Sequence, residues 1–496
     1  MNADGMADRS VVPSTRGNKA GTEPAADSVE ERDLAKRNAQ ESDLDRSLKR
    51  NNRRSIGLAG VRIKAREHPE FKFTSLLHHI DEQALTEAFF DLKKNAAVGV
   101  DGVTWQDYEV GLADRITDLH GRIHRGAYRA RPSKRIYLPK PDGQQRPIGI
   151  ASLEDKLVQK AVVWVLQSIY EEDFVNFSYG HRPGRSQHTA LDALSVGFSD
   201  RKVNWVLDGD VEGFFDTIDH QWLIKFLEHR VADNRTIRLI RKWLRAGVSD
   251  DGQWSATTVG TPQGAVISPL LANVFMHYVF DLWIKWWRKE RVCGEVVVIR
   301  YADDFVIGFE RKEEAERCLE ELHTRFAKFG LKLHGTKTRL IEFGRHAARH
   351  RRARGESRPE TFDFLGFTHR CDVTNAGWFA LRRATIAKRM RAKLTKIKGE
   401  LRKRRHQSIG EVGRWLKQVV QGWFQYHAVP GNQNRLRQFC DEIKKMWLHQ
   451  LRRRSQRHRW TWDRFARMFK RYLPEPTTLH PYPSVRFRAR LAARAV

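Results

Sequence analysis

The chain has 496 residues, is 40% hydrophobic with 15 tryptophans, and carries a net charge of +30. That content folds, has room for two or three domains, and points to a polyanionic partner, nucleic acid ahead of membrane. It holds no apolar run near the roughly 20 residues of a bilayer span, no signal-peptide layout and no close cysteine pair, so a cytoplasmic protein with free thiols at Cys293, Cys318, Cys371 and Cys440 is expected.

Residues 1–55 have few large apolar side chains and read as a mostly disordered charged segment, with a charged helix expected near "ERDLAKRNAQESDLDRSLKR". A mostly helical region, 56–135, follows. In "FTSLLHHIDEQALTEAFFDLKK" Leu76, Leu77, Ile80, Leu85, Phe89 and Leu92 have helical spacing, and "GVDGVTWQDYE" marks a turn before another amphipathic helix. From 136 to 370 short strands alternate with helices, the pattern of an antiparallel α+β domain. "IYLPKPDGQQRPIGI" reads as a hairpin, and "NWVLDGDVEGFFDTI" as a strand that breaks at Gly209 or Gly213. "TPQGAVISPLLANVFMHYVFDLWI" reads as a loop and a long buried helix, and "VVVIRYADDFVIGF" as a second hairpin with acids at its tip.

Residues 371–480 are helical and basic. Ile386, Met390, Leu394, Ile397 and Leu401 form one apolar stripe; Leu416, Val419, Val420, Trp423 and Phe424 form another. Residues 481–496 read as a basic tail. From Cys371 onward there are 31 lysines and arginines against 7 acids, a net +24, so most of the excess charge lies here. This part is expected to bind phosphates, with Arg389, Lys393, Lys396, Arg404, Arg452, Arg453 and Arg454 as candidate RNA contacts.

The adjacent acids Asp303 and Asp304 lie between strand-forming runs, where like charge and lost hydration need compensation. Clustered carboxylates are usually relieved by divalent cations, and hard oxygen ligands select Mg²⁺ or Mn²⁺. A further acid is offered by "LDGDVEGFFD", in Asp208, Asp210, Glu212 or Asp216. Strand alternation sends Asp208 and Asp210 to the same face and cannot choose between them. Lys140 and Arg146 flank the first hairpin turn and suit a triphosphate. Gln263 and Gly264 lie in a Gly/Pro loop that suits a polar ligand close to the main chain.

These blocks, in this order, resemble reverse transcriptases, most closely those encoded by bacterial group II introns and also called maturases. "IYLPKPDGQQRPIGIASLEDKLVQKAV", "FSYGHRPGRSQHTAL", "DGDVEGFFDTIDH", "GTPQGAVISPLLANVFMH", "RYADDFVIGF", "GLKLHGTKTRLIEF" and "FDFLGF" match the polymerase motifs, "QGWFQYH" the thumb and "GVDGVTW" the N-terminal extension. The resemblance spans roughly Phe73 to Pro483. It implies a right-hand polymerase fold of the α+β class, with fingers and palm over 136–370 and an α-helical thumb over 371–480. It implies catalysis by Asp210, Asp303 and Asp304, holding two Mg²⁺ ions with Val211, which has only its main-chain oxygen to offer. Lys140, Arg146, Gln263 and Gly264 would bind the nucleotide, and Tyr301 and Lys337 would lie near the primer or palm backbone. An aromatic after "VE" would exclude the 2′-hydroxyl; Phe214 and Phe215 are the alternatives, with Phe214 preferred.

The implied partners are group II intron RNA or another RNA template, a DNA primer or target, and dNTP, in a bacterial cytoplasm at the nucleoid. Two alternatives remain: a free-standing reverse transcriptase recruited for DNA repair or phage defence, and an RNA-binding splicing factor without polymerase activity. Ala265 departs from a usual Gly, and "HAARHRRARGESR" reads as a basic insertion that contacts RNA. After "QRHRWTWDRF" no His/Asn/His constellation or cysteine pair follows, so no endonuclease domain and priming from an existing strand are expected.

Overall fold

The computed structural model describes residues 52–139, 145–454 and 460–492. Most of the segment expected to be disordered, and Lys140 in the first hairpin turn, lie outside the described residues. The helix Asn52–Glu67 begins inside that expected segment. Eleven strands are described: β1 (Ser133–Pro139), β2 (Gln145–Ile150), β3 (Trp205–Gly209), β4 (Val248–Asp250), β5 (Gln253–Ser255), β6 (Val296–Tyr301), β7 (Asp304–Phe309), β8 (Arg339–Glu342), β9 (Phe362–Phe364), β10 (Phe367–Val373) and β11 (Phe379–Thr385). They form sheets of order β2-β1-β4-β5, β6-β7-β3-β8 and β11-β10-β9. Pairing is not wholly antiparallel as expected, because β1 runs parallel to β4 over Ser133–Lys134.

The described residues divide into two compact units, those within 52–190 with 207–340 and 490–492, and those within 191–206 with 341–489. These boundaries differ from those read off the sequence, and two of them fall within β3 and β8. In the first unit the helix Leu153–Asp173 is the core element, with Leu157, Val158, Ala161, Val162 and Leu166 buried. The helix Asn52–Glu67 packs along it and sends Arg62 and Arg66 to the buried Glu172, at 2.7 and 3.1 Å. The single helical stretch expected around Leu76–Leu92 is broken. A 3₁₀ turn, Leu77–His79, stops at Ile80, and Asp81 caps a new helix, Glu82–Asp91, by accepting from the Ala84 N–H.

The fully enclosed Asp233 ties that break to a distant helix. One carboxylate oxygen accepts from the N–H groups of Leu76 and Leu77, at 2.8 and 2.9 Å. The other caps the helix Asn234–Arg245 through Arg235 and Thr236. Asp233→Ala leaves buried donors without acceptors and is expected to cost about 3 kcal/mol, read as a lower urea midpoint at unchanged m-value.

The second unit is built on the helices Ala387–Lys403, Ile409–His427 and Gln433–Arg452. Met390, Leu394, Ile397 and Leu401 meet Leu416, Val420 and Phe424 in one buried cluster. Ile386 caps the first helix instead of joining the stripe, and Val419 and Trp423 are half-buried. The last segment is no simple tail, because Pro483–Ala492 is helical. Arg486 grips both carboxylate oxygens of the buried Asp192, one at 2.9 Å. The insertion also differs from its sequence reading. Arg351 pairs with Glu356 and Glu360, and Arg354 with Glu342 and Glu356, so part of its charge is neutralised internally.

Candidate active site

Antiparallel pairing of β6 with β7 ends at Tyr301 opposite Asp304, which leaves Ala302 and Asp303 as a two-residue turn. Ala302 takes φ +58°, a conformation that L side chains avoid. Asp303 is therefore at the tip, and Asp304 opens β7.

β3 brings the third acid. At Gly209 a Cβ would lie 2.2 Å from the Phe305 ring on β7, so only glycine lets the strand end approach this closely. Asp210 follows at once. Its carbonyl accepts from the His334 N–H at 2.8 Å, and its carboxylate accepts from Lys337 Nζ at 2.7 Å. Val211 bridges to Leu333. The Asp210 carboxyl also lies close enough to that of Asp304 to raise its pKa. Asp208 lies 3.6 Å from Arg339 yet still acts on Asp304 through its charge.

Burial in the cleft, then the charges of Asp303 and Asp210, push the Asp304 carboxyl up to about 8. Asp304 as a whole keeps solvent exposure, so water screens part of that repulsion. Burial also raises Asp303; the Asp210 charge adds to the rise, and Arg146 and Arg300 oppose it. Folded Asp304 thus holds its proton to higher pH than it does unfolded. Its contribution to stability is full below about 4 and is lost as pH rises toward about 8. Without divalent cation, melting temperature is expected to fall across that window. Asp304→Asn should flatten the profile, and added Mg²⁺ should restore stability at the alkaline end.

Among the described residues no three His, Cys, Asp or Glu side chains are grouped tightly enough, as they stand, to hold a metal ion. The physical reason is visible at Asp210, where the Lys337 ammonium takes up a carboxylate oxygen. The donor chemistry nonetheless suits a hard cation: carboxylates crowd together, one is driven toward its protonated form, and a cationic side chain lies against another.

At the other side of the cleft, Arg146 pairs across β1 with Leu138 and is exposed. The Gln263 carbonyl accepts from the Gly149 N–H at 2.6 Å, tying the Gly/Pro loop to β2. A cavity of about 390 Å³ opens here, lined by Arg135, Tyr137, Asp216, Thr261 and Gln263 among others. Phe214 and Phe215 part company: Phe214 is 2% exposed and packs edge-on toward Phe275, whereas Phe215 is half-buried beside this loop. Phe214, the preferred candidate for the sugar-facing ring, is thus enclosed in the core with little surface to offer a ligand, whereas Phe215 keeps some. Tyr301 is half-buried and hydrogen-bonded to Gln187.

In the second unit Arg389, Lys396, Arg452 and Arg453 are exposed, and Lys393 and Arg454 are half-buried. Arg404 is committed to packing, 3.6 Å from Glu400 and 4.9 Å over the Trp415 ring. Arg452 and Arg454 also donate to the carbonyls of Trp460 and His406. Sequence reasoning missed Arg300, Asp281, Asn273 and Ser178, which meet beneath the Ala302–Asp303 turn. An arginine in a strand and polar residues in an apolar helix were the available signal.

Residues 138–369 match the family model described as reverse transcriptase (RNA-dependent DNA polymerase). Protein YkfC of Escherichia coli K12 is 33% identical over 300 residues, which cover 52% of this chain and 78% of that one. The chain belongs to the reverse transcriptase family. The Group II intron-encoded protein LtrA of Lactococcus lactis subsp. cremoris is 36% identical over 215 residues, 42% of this chain and 36% of LtrA. An uncharacterized 91 kDa protein in the cob intron of Schizosaccharomyces pombe is 31% identical over 266 residues, covering 52% and 33%. Both matches span only about a third of those relatives. Each is what this reverse transcriptase is similar to over that shared stretch. No described helix is long and apolar enough to cross a membrane.

Proposed function

We propose that this reverse transcriptase copies RNA into DNA at Asp210, Asp303 and Asp304, and that it binds a group II intron RNA and assists its splicing and retrohoming. The observation that carries the reading is the meeting of Asp210, from the end of β3, with Asp304, at the start of β7, across one sheet. In this reading β1–β2 belong to the fingers, the β6-β7-β3-β8 sheet to the palm, and the three long helices of the second unit to the thumb.

Asp210, Asp303, Asp304 and the Val211 carbonyl would hold two Mg²⁺, or Mn²⁺ in substitution. When bound, the ions supply acidification of the primer 3′-hydroxyl and charge neutralisation at the triphosphate. The protein's own part is position and charge. Arg146 offers the triphosphate a planar guanidinium, with Lys140 as the second cation of the hairpin. Gln263 and Gly264 bring main-chain groups and an amide to the nucleotide, and Phe215 offers a ring edge against a 2′-hydroxyl. Lys337 donates to Asp210, and would be available to the primer strand if that carboxylate were to hold metal instead.

The exposed basic residues of the second unit, Arg389, Lys396, Arg452 and Arg453, would grip RNA phosphates. Affinity for intron RNA is then expected to fall by about three orders of magnitude or more between 50 and 200 mM salt if six or more phosphates are neutralised. The test of the whole reading is primer extension by the full chain on an RNA template with dNTP and Mg²⁺, run beside splicing of the intron RNA. Splicing stimulated without any cDNA would favour the splicing-factor alternative; cDNA without intron binding would favour the free-standing enzyme.

A further inference from the structure

Resting on the polymerase reading, we propose that Arg300, Asp281 and Asn273 form a brace that positions the turn carrying Asp303. Arg300 has no exposed surface. Its Nε donates to Asp281 Oδ1 at 2.6 Å, and Nη2 donates to Asp281 Oδ2 at 2.5 Å and to Ser178 Oγ at 2.6 Å. Nη1 donates to Asn273 Oδ1 at 3.2 Å and to the Ala302 carbonyl at 2.8 Å. All five guanidinium donors are thereby used.

The bond to Ala302 is the informative one. That carbonyl belongs to the peptide joining Ala302 to Asp303, so fixing its direction fixes the plane from which the Asp303 side chain departs. Ala302 sits at φ +58° and needs such support. The segment behind the turn is held by the same group of residues. A Cβ on Gly180 would lie 2.2 Å from the Ala302 nitrogen, and Asn273 Nδ2 donates to the Gly180 carbonyl at 2.7 Å. Main-chain bonds at 2.9 and 2.8 Å link Arg300 to Phe177 and Tyr179.

The helix is shaped for this contact. Asn273 and Asp281 are eight residues apart, which on an uninterrupted α-helix puts them roughly 80° apart around the axis. His277–Asp281 is a π turn, and the extra residue it takes up brings Asp281 back toward the face of Asn273. Both side chains then reach one guanidinium. Stability does not account for the arrangement, since a buried ion pair adds little over apolar residues of similar size.

The test is the double variant R300M/D281L in the full chain, which removes both charges and keeps volume. Because the Ala302 carbonyl and Asn273 Oδ1 lose a buried donor, its melting temperature is expected to fall by several degrees with one cooperative transition retained, so activity is compared well below that transition. Its primer-extension rate at saturating dNTP and primer–template should fall about a hundredfold, with KM for dNTP little changed. Half-maximal Mg²⁺ should rise about tenfold, and Mn²⁺ affinity, measured by electron paramagnetic resonance without substrate, should weaken by a similar factor. Parental rate and Mn²⁺ affinity in the double variant would overturn the brace. N273A, which retains the ion pair, gives the second reading: about a tenfold loss of rate with the same direction of metal shift supports the brace, and no change opposes it. An inactive parent, or full activity in Asp303→Ala, would instead overturn the polymerase reading beneath it.

Discussion

Asp303→Ala is expected to reduce DNA synthesis on an RNA template by roughly a thousandfold or more while leaving the protein folded. A metal ligand at a phosphoryl-transfer centre contributes several kcal/mol to the transition state, and each 1.4 kcal/mol is about tenfold in rate. Folding should not suffer, because the substitution removes a charge from a group of carboxylates that repel one another. In cation-free buffer its melting temperature is expected to equal or exceed that of the parent. Substantial synthesis by a correctly folded Asp303→Ala protein would remove the acid from the machinery. The same variant should bind intron RNA normally, since the basic residues proposed for that task lie in other elements.

The second large effect concerns the sugar. Phe215→Val is expected to relax discrimination against ribonucleotides by about ten- to a hundredfold, the scale of a lost steric contact in a binding pocket. The reading is the ratio of kcat/KM for dNTP and rNTP, with dNTP incorporation only modestly slowed. Phe214→Ala should behave differently. Its ring is enclosed beside Phe275, so truncation is expected to cost about 3–5 kcal/mol of stability and to leave the ratio alone. A changed ratio in the Phe214 variant with an unchanged one in the Phe215 variant would reverse the assignment.

The contrast between these two rings shows what could be read from the sequence. Two adjacent phenylalanines at the end of a strand carry no mark of which one faces inward, because the answer depends on the short helix Phe214–Thr217 that follows Gly213. The hairpins, the buried helix after the Gly/Pro loop and the apolar stripes of the second unit were legible, since each rests on local periodicity and turn chemistry. The meeting of Asp210 with Asp304 was implied by the family resemblance and not by local pattern, since it depends on β3 lying beside β7 and on the bare Cα of Gly209 against Phe305. The brace beneath the turn was hidden for a similar reason: a π turn leaves no signature in the sequence "HYVFD". The charge of the insertion was legible only in part. Its arginines count as positive charge, yet Glu342, Glu356 and Glu360 neutralise part of that charge once the chain folds.

The most direct measurement is a crystal structure of the full chain with RNA template, DNA primer, a non-hydrolysable dNTP and Mn²⁺, with the ions placed by anomalous scattering. The account predicts an ion about 2.1 Å from carboxylate oxygens of both Asp210 and Asp303, with Asp210 released from Lys337. An Asp210 carboxylate still held by Lys337, with no cation shared between it and the Ala302–Asp303 turn, would contradict it.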